Sequence, residues 1–93
     1  MANALFKYIG ELSYADTKDN AVFHSLLEQG MALLQLTDRD IAREFGVSRP
    51  TVTRWRNGSN APHPALRKPV FTWLEQRTRL MIRRQEARQL VVA

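Results

Sequence analysis

Residues 36–58 read Leu36-Thr-Asp-Arg-Asp-Ile-Ala-Arg-Glu-Phe-Gly-Val-Ser-Arg-Pro-Thr-Val-Thr-Arg-Trp-Arg-Asn-Gly58, a pattern of two short helices and a tight turn. Thr37 offers a side-chain oxygen to cap the first helix, and Asp38 and Asp40 fall in its positive first turn. Ile41, Ala42 and Phe45 stand at helical spacing and give that helix an apolar face. Gly46 supplies the left-handed residue that ends a helix and turns the chain, and Val47 can fill the space between the two helices. Ser48 caps a second helix, with Pro50 placed early, where a missing N–H costs little. Val52 and Trp55 face inward, and Asn57-Gly58 closes the unit.

The outward face of the second helix carries Arg49, Pro50, Thr51, Thr53, Arg54 and Arg56 and no acid. That chemistry suits a helix docked in the major groove of DNA. Arginine reads guanine edges with two bonds, and threonine meets thymine methyls or phosphates. The plainer alternative is a helical hairpin with a solvated charged face. Cap, glycine turn, second cap and basic helix occurring together favour docking.

The stretch resembles the lambda-repressor-like (Cro-type) helix-turn-helix domain. Members often read Leu-Thr-x-x-x-Ile-Ala-x-x-x-Gly-Val-Ser-x-x-Thr-Val-x-Arg-Trp-x-Asn-Gly, and every fixed position is filled here. The resemblance implies an all-α, compact domain of five to six helices, with its core over about residues 20–76 and the helix-turn-helix at 37–57. It places Arg49, Pro50 and Thr51 where members read base edges, with Arg54 a turn further, at the groove edge. Thr37, Thr53, Arg56 and Asn57 fall where backbone phosphates are often held. Asp38 departs from the pattern, since many members carry Gln there to contact phosphate and brace the first reading residue. A carboxylate cannot donate to phosphate. The expectation is that Asp38 orients Arg49 across the turn, against the alternative of a helix N-terminal acid that only favours the macrodipole.

Ninety-three residues suit one domain with one modest core. The absence of Cys excludes disulfides and cysteine metal sites, and His24 and His63 have no ligand-like spacing. No cofactor is therefore expected. No apolar run approaches a membrane span, and the N-terminus lacks a secretory pattern. The net charge of +5 is unevenly divided. Residues 1–47 hold four Lys/Arg against seven Asp/Glu, a net −3, whereas residues 48–93 hold ten against two, a net +8. A basic half that begins at the recognition helix suggests an electrostatic footprint for a polyanion.

Outside the motif, Leu5, Ile9 and Leu12 predict a short helix over 3–13 that packs on the domain, with Tyr8 and Phe6 adding apolar area beside the stripe. Residues 14–20 read as a loop from which Asp19 or Asn20 caps the next helix, Ala21 to Leu34. Gly30 inside that helix would permit close approach of a neighbour. Ser59 to Pro64 read as a loop. From Pro64 onward the sequence reads as helical: Pro69 predicts a restart, with Ala65–Lys68 a preceding turn or a kinked part of the same helix, and the last helix runs over about 69–90 with one face of Val70, Phe71, Leu74 and Met81 closing over Val52 and Trp55. Trp73, Leu80 and Ala87, with Val91 close by, form a second line at seven-residue spacing, expected to serve as the interface of a homodimer.

These features predict a sequence-specific double-stranded DNA-binding transcriptional regulator, a repressor acting as a homodimer, cytoplasmic, with no membrane or small-molecule partner. The family resemblance suggests a bacterial, phage or plasmid setting. Two alternatives share the fold: a DNA-binding subunit of a larger assembly (antitoxin-like or recombination-accessory), and a protein-interaction module without DNA binding. Catalysis is not expected, because no paired carboxylates or His arrangement suggest it.

Overall fold

The computed structural model describes residues 2–92, with side chains for 3–88. Five helices follow in order: α1 Ala2–Ser13, α2 Asn20–Leu34, α3 Asp38–Phe45, α4 Arg49–Asn57 and α5 Pro64–Val92. No strand occurs among the described residues. The all-α architecture with an added N-terminal helix and a long C-terminal one is as the sequence predicts.

Local signals set most boundaries. Asp19 caps α2 by accepting from the N–H groups of Ala21 and Val22. Thr37 and Asp40 form a reciprocal capping box at the start of α3. Gly46 takes a left-handed φ of 67°, and Gly58 takes 82° at the end of α4.

α2 is the hub. It packs against α1, α4 and α5, while α3 packs on α4. Phe23, fully buried, stacks on Phe71 at 5.6 Å and meets the edge of Trp55 at 6.2 Å. Phe23 stands between Trp55 and Phe71, and Val70, Phe71 and Leu74 of α5 share one buried core with Val52 and Trp55 of α4.

α1 does pack on the domain, but its key residue is not one of the stripe. Tyr8 is 1 % exposed, and its hydroxyl donates to the Leu26 carbonyl at 2.6 Å. Burial, reinforced by the nearby charge of Glu11, pushes the phenol well above its ordinary pKa. Gly30 makes the approach possible: a β-carbon there would overlap the Tyr8 hydroxyl and lie 2.9 Å from its ring carbon Cζ.

The last helix begins at Pro64, so residues 65–68 belong to the same helix, which runs through Pro69 without a break. Pro64 occupies the first helical position, where a missing N–H is harmless. Pro69 removes the hydrogen bond to the carbonyl four residues earlier. Both it and Ala65 are exposed, so water can serve that carbonyl.

The expected second line on α5 is divided by its surroundings. Trp73 has a partner within the chain: it packs edge-on against Phe45 at 5.6 Å, with the Arg77 guanidinium 5.5 Å from its ring centre. Leu80 is 40 % exposed and Ala87 is exposed. Val91 lies outside the described side chains.

Candidate nucleic-acid interface

α3 and α4 form a rigid pair because both ends of the connecting turn are capped. The N–H of Gly46 returns to the Ala42 carbonyl, and Ser48 accepts from the N–H of Thr51 at 3.2 Å. Ile41, Val52 and Trp55 fix the inner side. What remains outside on α4 is Arg49, Pro50, Arg54 and Asn57, all exposed, with Thr51, Thr53 and Arg56 half-buried.

The residues expected to read bases do come together. Arg49, Pro50 and Arg54 line one shallow hollow with Asp38 and Thr53. Thr51 stands apart from them chemically: its hydroxyl shares a 2.7 Å contact with Ser48. Thr51 thus serves the helix cap through its hydroxyl and its N–H.

Asp38 has a different partner from the one expected. Its carboxylate accepts from Arg56 Nε at 3.0 Å and Nη2 at 3.1 Å, and from the Thr53 hydroxyl at 2.6 Å. Arg49 acts on it only through its field. Arg49, Thr53 and Arg56 share one face of α4 at i, i+4 and i+7, and Asp38 bonds to the second and third of them, further along the helix than Arg49. This paired, two-bond geometry holds the guanidinium flat against the helix pair, so Arg56 is an oriented donor and not a free arm.

The Arg56 hydrogen bond, aided by that of Thr53, holds the Asp38 carboxyl below the usual carboxylate range. Asp40 is also lowered, chiefly by the Thr37 N–H. A carboxylate depressed by folding contributes stability at neutral pH that is lost as pH falls through its folded pKa. Asp38→Asn should therefore narrow the stability gap between about pH 7 and about pH 3, read from urea midpoints. An unchanged gap would show that the pair is energetically idle.

Of the residues expected at phosphates, Thr37 and Asn57 keep a free donor, whereas the Thr53 hydroxyl hydrogen is engaged by Asp38. The Thr37 oxygen accepts from the Asp40 N–H at 3.2 Å, leaving its own hydrogen free. Asn57 accepts from the Ser59 N–H at 2.9 Å; a backbone N–H can only donate, so this atom is the amide oxygen and the NH₂ remains available.

Two residues had not been singled out. Arg39 is exposed and shares a second hollow with Thr37, Asp38, Arg49 and Arg56, a further cation beside residues expected to meet phosphate. Arg67 is 6 % exposed and has no acid beside it: Nε donates to the Pro62 carbonyl and Nη1 to the Thr17 carbonyl, both at 3.0 Å. It ties the loop after α4 to the loop before α2. Its spacing ahead of Val70, Phe71 and Leu74 puts it on the apolar face, a signal present in the sequence. His24 lies under the end of α4, its ring 3.5 Å from where a β-carbon of Gly58 would stand.

This geometry is that of a helix-turn-helix DNA-binding domain. Residues 27–63 match the family described as the homeodomain-like domain, a span from the middle of α2 through α3 and α4 to His63. The match supports the helix-turn-helix without selecting the Cro-type branch. Neither the curated proteins nor the solved structures gave a significant match. No helix among the described residues is long and apolar enough to cross a membrane.

Proposed function

We propose that this protein is a sequence-specific double-stranded DNA-binding transcriptional regulator of the lambda-repressor-like kind, a cytoplasmic repressor that acts as a homodimer and not as an enzyme. The observation that carries the reading is the outward face of α4: Arg49, Pro50 and Arg54 are exposed without an acid in their helix, beside an Arg56 oriented by Asp38. Arg49, Pro50, Thr51 and Arg54 read bases. Thr37, Thr53, Arg56 and Asn57 hold the backbone, with Thr53 and Arg56 acting as a unit with Asp38. One such domain buries too little DNA for high specificity, and pairing doubles the reading surface.

Selection of bound DNA from a random pool tests this directly. The expected product is a two-fold symmetric site. Enrichment of no sequence above background would favour a protein-interaction module. On the selected site, Arg49→Ala should cost about 1–3 kcal/mol and relax one base position. Unchanged preference at every position would remove Arg49 from the reading set.

A further inference from the structure

Two surface features are not used by DNA reading. The first is a shallow hollow between α1 and α2, with Ala15, Val22 and Leu26 on its floor and Glu11 and Asp16 at its rim. Tyr14 beside it is 93 % exposed, an aromatic ring with almost no cover from its own chain. The hollow lies on the α1 side of α2. Phe23 and His24, in the same turn of α2, point the other way to Trp55 and Gly58.

The second feature is the end of α5. Twenty-nine residues make a helix of about 43 Å, close to the 46 Å long axis of the molecule. Arg83, Arg84, Glu86, Ala87 and Arg88 are all exposed. Leu80 and Ala87 stand seven residues apart on one line, with Arg83 to one side and Arg84 to the other.

The two features are complementary: an apolar floor with an acidic rim, and an apolar line with a basic rim. A seam of two α5 helices is disfavoured by the same charges. It would set Arg77, Arg83, Arg84 and Arg88 against their copies, and Glu75 is already engaged with Arg79 at 3.1 Å. We infer that the end of α5 docks in the α1–α2 hollow of a second copy, reciprocally about a two-fold axis, so that Leu80 and Ala87 meet the floor and the arginines meet Glu11 and Asp16. This rests on the homodimer of the proposed function and gives it a contact. Two such contacts, related by symmetry, close at two copies. Tyr14 gains the cover it lacks within one chain.

Sedimentation velocity of the full chain tests the docking. The unmodified protein should form dimers at low salt and dissociate as salt screens the rim. Arg83→Glu, Arg84→Glu and Arg88→Glu together should raise the dimer dissociation constant by more than about tenfold, as should Glu11→Lys with Asp16→Lys. All five substitutions in one chain should restore the dimer, because every pair re-forms with its signs exchanged. Circular dichroism verifies that each variant is folded. Leu80→Asp should give a folded monomer. A five-fold variant that stays monomeric, while folded, would overturn the docking. So would an arginine triple variant that sediments unchanged but loses DNA affinity, since the helix end would then be a phosphate arm. Failure of the unmodified dimer to select any DNA would refute the proposed function and leave the docking standing.

Discussion

Raising salt from about 50 to about 200 mM should lower the affinity of this protein for DNA by about 10³–10⁵, if the dimer holds roughly six to ten phosphates. Each neutralised phosphate releases condensed counterions, and added salt opposes that release. The pairing of Arg56 with Asp38 makes the residues unequal. Arg39 is exposed and forms no salt bridge among the described residues, so replacing it by Ala should flatten the salt slope by about two per dimer, one for each copy. Arg56 arrives with a carboxylate bonded to it, so Arg56→Ala removes a cation and leaves an unanswered anion at the same edge. It should weaken all DNA sequences alike and by more than Arg39→Ala. Asp38→Asn should raise affinity for random DNA and steepen the slope, because a negative charge leaves the footprint, while preference among sites declines as Arg56 and Thr53 lose their anchor. Filter binding over a salt series, on the selected site and on random DNA, measures every one of these slopes. Loss confined to the selected site in Arg56→Ala would make Arg56 a base reader.

Most of the fold was readable because its determinants are local. Thr37, Gly46, Ser48 and Gly58 act within a few residues of themselves, and the structure uses each as a cap or turn. The apolar stripe of α2 likewise became the hub. What was not readable depends on residues far apart in the chain. Tyr8 looks like surplus apolar area until Gly30 and the Leu26 carbonyl are placed beside it. Arg67 looks like one more cation in a basic half until the Thr17 carbonyl, fifty positions away, is placed beside it. Pro69 signals a break by local rules, but a solvent-facing carbonyl removes most of the penalty. At the site, residue types pointed to the reading face of α4. The partner of Asp38 turned on how far along α4 the start of α3 lies, which a motif does not specify.

The opposite outcomes expected at two helical glycines follow from the same packing. On an open helix face, Gly→Ala stabilises by about 0.5–1 kcal/mol, since alanine loses less backbone freedom on folding. Gly10 in α1 meets that condition: a β-carbon there has nothing within 4 Å. Gly30 does not. Its β-carbon would overlap the Tyr8 hydroxyl, lie 2.9 Å from Tyr8 Cζ and lie 3.3 Å from Leu74 Cδ2. Neither neighbour has room to retreat, because Tyr8 is nearly sealed and Leu74 is fully buried. Displacing the ring would also break the bond to the Leu26 carbonyl and strand a buried hydroxyl. Overpacking and the lost bond together should destabilise Gly30→Ala by about 2–4 kcal/mol, a large part of the about 5–15 kcal/mol available to a small domain. Since α1 is held to α2 at this point, the damage should appear first as separation of α1 from the rest. Tyr8→Phe alone should cost about 1 kcal/mol. Combined with Gly30→Ala it should cost clearly less than the sum, because removing the hydroxyl removes the worst overlap. Urea unfolding of the two single variants and the double variant gives that coupling energy. Strict additivity, or a Gly30→Ala variant stabilised as much as Gly10→Ala, would mean that α1 does not seat on α2 through Tyr8.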